Sequence, residues 1–178
     1  MSNTPEQTRL PKLLDPRKFA QKGIELEGQI PLREMPRVAE LVLNQDASVA
    51  VKLHFSVDEQ RFKLITGTVS AQLQLPCQRC LEPAPVSLES SVNLAVAWDE
   101  DEAKNFPKRF DPLIHGEGQT DIYVVIEEEI LLNLPMVVYH DHDCIGKTSF
   151  GDEEADSGLE EEKNPFQILE QLKGSPKS

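Results

Sequence analysis

The chain has 178 residues, of which 39% are hydrophobic and 6% aromatic. That allows one domain of ordinary size with tails and excludes two full domains. No run approaches the roughly eighteen apolar residues of a membrane span, and the opening MSNTPEQTRL lacks the basic start and apolar stretch of a signal peptide, so a cytoplasmic protein without membrane contact is expected.

The net charge of -13 is concentrated at the far end: Asp99 to Ser178 holds 7 Lys and Arg against 20 Asp and Glu, while Met1 to Glu40 holds 7 against 6. Phosphate backbones repel such an acidic half, which disfavours tight, autonomous RNA binding through it. Near the start, Arg9, Lys12, Arg17, Lys18 and Lys22 are candidate RNA contacts, although such a cluster is more often a solvated face.

Residues 1–11 read as a flexible leader. The segment LLDPRKFAQKG predicts a short helix, with Asp15 as cap, Pro16 at its first position and Gly23 at its end. Ile24, Leu26 and Gly28 then alternate with Glu25, Glu27 and Gln29 as in a half-exposed strand. Between Arg33 and Leu43, apolar residues fall at helical spacing, with Pro36 in the first turn. Ala47 to Val57 alternates strictly, Asp58 to Gln60 makes a turn, and Arg61 to Leu75 resumes the alternation, which predicts a long hairpin. Beyond the link PCQRCLEPAP, Val86 to Trp98 reads as a further strand, with Trp98 at core or rim. The whole is an α+β domain over residues 12–148, an antiparallel sheet built on the long hairpin and flanked by helices. Phe106 to Gly118 reads as loop and Asp121 to Leu134 as a helix stopped by Pro135. Residues 149–163 have the composition of an acidic disordered linker, since Gly151 to Lys163 carries seven acids and almost no apolar surface. Residues 164–174 read as a short amphipathic C-terminal helix, and its Asn164, Pro165 and Phe166 make a candidate partner-binding element.

The three cysteines are too few and odd in number for a disulfide framework, so reduced thiols are the default. Cys77-Gln78-Arg79-Cys80 ends a hairpin strand, and two residues between cysteines let a tight turn aim both thiolates at one ion. Cys144 supplies a third sulfur, and His140 or His142 completes a Cys3His set for a zinc cofactor, against the alternatives of inert thiols and of redox chemistry. Redox is disfavoured because Leu81-Glu82-Pro83-Ala84-Pro85, rather than a helix, follows the motif. Glu127, Glu128 and Glu129 look like paired carboxylates, but consecutive residues point around a helix and read as a solvated face. His54 and His115 have no partners at useful spacing. No Walker loop, GxGxxG, GxSxG or HExxH occurs, so no catalytic residue is assigned and a non-enzymatic protein is expected.

Leu14-Asp15-Pro16, the hairpin ending in Cys77 to Leu81, the helix closed by Pro135, the His140 to Cys144 cluster and Asn164-Pro165-Phe166, in this order, resemble the YceD family of large ribosomal RNA subunit accumulation proteins. The resemblance implies a bacterial cytoplasmic factor in synthesis, processing or stability of large-subunit ribosomal RNA. By the same comparison His140 and Cys144 join Cys77 and Cys80, with His142 the alternate. The acidic half then predicts a partner that is a basic ribosomal protein or an RNA-processing enzyme, with indirect or weak RNA contact. Direct RNA binding through Arg9 to Lys22 is the alternative.

Overall fold

The computed structural model describes residues 9–145. The expected linker 149–163, the C-terminal helix and its Asn164, Pro165 and Phe166 lie outside the described residues.

A two-residue strand, β1 (Leu13–Leu14), leads into helix α1 (Pro16–Lys22). The Asp15 carboxylate accepts the backbone N–H groups of Arg17 and Lys18 at 3.1 Å each, Pro16 opens the helix, and Gly23 at φ 62° closes it. These are the stop and start signals read in the sequence. Strand β2 (Glu25–Pro31) follows, then a single 3-10 turn at Leu32–Glu34 and the one-turn helix α2 (Pro36–Ala39). Here the expected helix from Arg33 to Leu43 is cut short. Leu43 N–H donates to the Gln74 carbonyl at 2.8 Å, and the Asn44 side chain bonds the backbone of Gln72 and Gln74. Residues 43 and 44 therefore cover an open strand edge instead of continuing a helix.

The long strands β3 (Ser48–Val57), β4 (Lys63–Pro76) and β5 (Pro83–Ala97) pair antiparallel in sequence order. After helix α3 (Glu100–Ala103), strand β6 (Asp111–Ile114) adds to β5 in parallel, within a stretch the sequence reads as loop. Four residues including Pro112 give too little alternation to reveal such a strand. The sheet order is β2-β3-β4-β5-β6. Strand β7 (Thr120–Asp121) pairs with β1, and helix α4 (Ile122–Asn133) ends the described elements. The fold is α+β and its main sheet is mostly antiparallel. No helix among the described residues is long and apolar enough to cross a membrane.

Alternation places Val49, Val51, Leu53 and Phe55 on the same buried face as Ile65, Val69, Leu73, Val92 and Leu94. Against that face pack Ala20 of α1 and Ile122, Tyr123, Ile126 and Ile130 of α4. Phe19 meets Phe55 edge to face at 5.4 Å between centroids. The opposite face carries Lys52, Thr68, Ser70 and Gln72 toward water, as one-sided antiparallel sheets do. In mid-sheet Gly67 has a structural cause: a β-carbon there would lie 2.0 Å from the Lys52 carbonyl oxygen. The segment before α1 is also bound in. Leu10 is buried, its carbonyl accepts the Tyr123 hydroxyl at 2.7 Å, and Ile122 N–H donates to the Lys12 carbonyl at 2.9 Å.

Candidate metal centre

Strands β4 and β5 form a hairpin whose tip is the Cys-Gln-Arg-Cys segment. Pro76 faces Pro83 at the last pair, and beyond it Cys77 N–H donates to the Glu82 carbonyl and Leu81 N–H to the Cys77 carbonyl, both at 2.9 Å. Leu81 takes φ 64°, the left-handed conformation that reverses the chain. This turn points the Arg79 N–H at Cys77 Sγ, 3.5 Å away. Cys77 is fully buried and Cys80 half-buried.

The other donors arrive from the chain beyond α4. Pro135 ends the helix and lets residues 136–144 run back along the tip, where Gln78 N–H donates to the Val138 carbonyl at 2.9 Å. That backbone bond sets His140 and Cys144 beside the cysteines of the turn. The sulfurs of Cys77 and Cys144 are 3.8 Å apart, and Cys80 Sγ lies 3.4 Å from His140 Nδ1. All four donor atoms fall within 4.8 Å of one another. Four donors each about 2.0–2.3 Å from a shared centre in a tetrahedron would be separated by similar distances. The three cysteines are free thiols.

The ring of His140 is held in one tautomer. Its Nε2 lies 3.0 Å from the Pro83 carbonyl, which can only accept, so Nε2 carries a proton, and the tautomer this bond favours leaves Nδ1 facing Cys80 as the ligand atom. Two of the thiols are also displaced from the ordinary range. Burial opposes the Cys77 thiolate, but the N–H groups of Cys80, Arg79 and His140 outweigh it and bring the thiol down to about 6. Burial pushes the Cys144 thiol up to about 11, aided by hydrogen bonds with Cys80 and Cys77 and by their negative charge. The Cys77 and Cys144 thiols, 3.8 Å apart, are thus shifted in opposite directions. The Arg79 guanidinium lies over the Tyr139 ring at 4.6 Å. Cys77, Cys80, His140 and Cys144 together could hold a soft metal ion.

The sequence leaves His140 and His142 open as fourth donor on spacing alone, and the structure brings only His140 into the cluster. His142 stacks on it at 5.0 Å between ring centroids. The basic residues near the start are dispersed into other contacts. Arg9 pairs with Glu34 and reaches the Tyr123 hydroxyl, Lys12 lies 3.6 Å from Asp121, and Lys18 lies 3.1 Å from Asp15. The Arg17 guanidinium stacks 3.7 Å above Trp98, which sits half-exposed at the rim. Lys22 closes the last turn of α1.

Glu127 corrects the solvated-face reading of the three glutamates. It is buried, and its carboxylate accepts the N–H groups of Arg37 at 2.7 Å and Val38 at 3.1 Å, capping α2 from another helix. Within the run, Glu128 is exposed and pairs with Arg37 at 3.5 Å, while burial, then Asp111 and Glu128, raise the Glu129 carboxyl. His54 is exposed, 3.4 Å from Glu25, and His115 is half-buried with Gly118 O at 3.4 Å. The missed roles, those of Glu127 and the Pro83 carbonyl, join residues distant in sequence, and no local pattern marks them.

The family described as "Large ribosomal RNA subunit accumulation protein YceD" matches residues 65–173, a stretch that contains all four donors. The large ribosomal RNA subunit accumulation protein YceD of Haemophilus influenzae is 31% identical over 173 residues, covering 94% of this chain and 98% of its own. No solved structure matches the chain. With a family match spanning the hairpin tip and α4, and a relative aligned from end to end, the chain belongs to the YceD family.

Proposed function

We propose that this protein is a non-enzymatic cytoplasmic factor that sustains large-subunit ribosomal RNA in synthesis, processing or stability, and that its hairpin tip is clamped by one zinc ion. The carrying observation is the convergence of three sulfurs and one oriented imidazole on a single point from segments about sixty residues apart. Zinc favours such four-coordinate Cys3His sets, and with all four positions filled by protein it serves as a cross-link. Cys77 and Cys80 would hold it from the turn, and His140 and Cys144 from the chain after α4. The ion's charge would let the sulfurs ionise together. The absence of an open donor position supports a structural role for the centre over a catalytic one.

The net charge of -13 favours action through a basic protein, a ribosomal protein or an RNA-processing enzyme, over a grip on bare RNA. Direct RNA contact through Arg9, Lys12, Arg17, Lys18 and Lys22 is weaker as a reading, since four of these cations already engage Glu34, Asp121, Trp98 and Asp15. The test is metal analysis with ribosomal RNA profiling of cells carrying the wild type or the Cys77→Ser, Cys80→Ser double variant. One zinc per wild-type chain, lost in the variant together with large-subunit RNA, is the expected result. A metal-free wild type, or normal RNA in the variant, refutes the reading.

A further inference from the structure

The segment that delivers His140 and Cys144 also presents apolar side chains to water. Met136 is 98% exposed, Leu132 at the end of α4 81%, and Leu81 at the turn 73%. Val137 and Tyr139 are half-exposed beside them in sequence, and Arg79 lies over the Tyr139 ring. Exposed apolar residues scattered singly need no explanation, but a run of them on one short segment marks an interaction surface. The types present, Met, Tyr and Arg with leucines, are those enriched where proteins bind proteins.

The strip is positioned by the same contacts that build the metal centre. Gln78 N–H holds Val138 between Val137 and Tyr139, and the His140 ring is fixed one residue later by the Pro83 carbonyl. Its flanks are negative: Glu82, Asp141 and Asp143 are exposed, and Arg79 is engaged with Tyr139. An apolar strip with acidic flanks complements a segment that is apolar on one face and basic on the others.

We propose that Leu81, Leu132, Met136, Val137 and Tyr139, with Arg79, form a docking surface for a basic amphipathic helix of a partner protein, held in register by the metal centre. This rests on the reading that the protein acts through protein contacts, and it names where the partner binds and what the partner offers. Because the strip is continuous with His140 and Cys144, loss of the ion disorders the strip and abolishes docking.

The experiment titrates the zinc-loaded full chain against a fluorescent Leu/Lys peptide with leucines at helical spacing, and against a scrambled peptide of the same composition. The amphipathic peptide is expected to bind at least about tenfold more tightly than the scrambled one. Leu132→Ser with Met136→Ser, and separately chelation of the ion, should erase that difference. The serine variant keeps its zinc and circular dichroism, because both side chains lie in water. Equal binding of the two peptides, or of wild type and serine variant, overturns the proposal. So does protection of Met136 from oxidative footprinting in the isolated monomer, with buried Met35 as reference, since the chain's own residues would then cover the strip. Dimers that disappear in the serine variant would likewise assign the strip to a second copy and overturn it. In cells, a serine variant that sustains normal large-subunit RNA overturns docking and leaves the zinc-dependent role standing. Normal RNA in the cysteine variant removes that role without touching the peptide result.

Discussion

In the middle of the β4–β5 hairpin, Ile65, Val69 and Val92 are fully buried in a core shared with α1 and α4. At its tip the same two strands end in prolines, Pro76 opposite Pro83, with Pro85 next but one. Proline has no N–H, so the backbone ladder is short of donors there, and the tip is closed by the turn bonds from Cys77 to Glu82 and from Leu81 to Cys77, by the bond from Gln78 to Val138, and by the gathering of four side-chain donors. The middle is held by burial, which needs nothing from solution. The tip is held by a few backbone bonds and gathers four side chains that could share a metal ion. One hairpin thus joins a region held by burial to one whose order, on the proposed zinc clamp, follows the supply of metal.

On the proposed zinc clamp, the largest effect should come from removing the ion. Structural zinc sites carry apparent binding free energies of about 10 kcal/mol or more. Chelation, or Cys77→Ser with Cys80→Ser, is expected to abolish amide protection in residues 77–82 and 136–144 while the amides of β3 and the middle of β4 stay protected in hydrogen exchange. If the whole sheet opened together, the contrast between middle and tip would be wrong.

Gly67→Ala strikes the other region. The new methyl would sit against the Lys52 carbonyl, a backbone atom that cannot swing aside. A loss of about 3 kcal/mol in denaturant unfolding is expected, with zinc content unchanged in the fraction that remains folded. Loss of metal from folded Gly67→Ala chains would couple the two regions more tightly than their contacts suggest.

A smaller effect belongs to Glu127. Alanine there leaves the N–H groups of Arg37 and Val38 without their buried acceptor, for a cost of about 2 kcal/mol. Glu127→Gln, which keeps an acceptor oxygen, should recover much of it. An alanine variant as stable as wild type would mean that water replaces the carboxylate.

Those residues also mark what the sequence discloses. The hairpin strands were legible because one face is buried and the other solvated, so alternation survives, and α1 was legible because its cap, first-turn proline and closing glycine are all local. The metal cluster was half legible: spacing groups Cys77 with Cys80 and gathers every other cysteine near two histidines, but the choice of His140 over His142 rests on a carbonyl 57 residues away. Glu127 reads as solvated in the sequence because three adjacent glutamates look alike until α2 supplies two unpaired donors. The short run of α2 has the same origin, since Leu43 and Asn44 are recruited to an edge of β4 that cannot be foreseen from residues 33–43.

The smallest expected effect tests the burial-held region by pH. Asp15 caps α1, and its carboxyl lies below the ordinary value chiefly because the Lys18 N–H donates to it, with burial opposing and the Lys18 ammonium assisting. A carboxyl lowered in the folded state contributes stability above its unfolded value near 3.9, and loses it as pH falls through the lower folded value. Asp15→Ala should therefore cost about 1 kcal/mol at neutral pH and progressively less below about pH 4. Asp15→Asn separates the cap from the charge, because the amide oxygen still accepts from Arg17 and Lys18 but does not titrate in this range. Its stability relative to alanine should persist into acid where that of the wild type fades. If wild type and Asp15→Asn fell in parallel below pH 4, the acid sensitivity would lie in other carboxylates, and this end of the fold would be as indifferent to protons as its packed core.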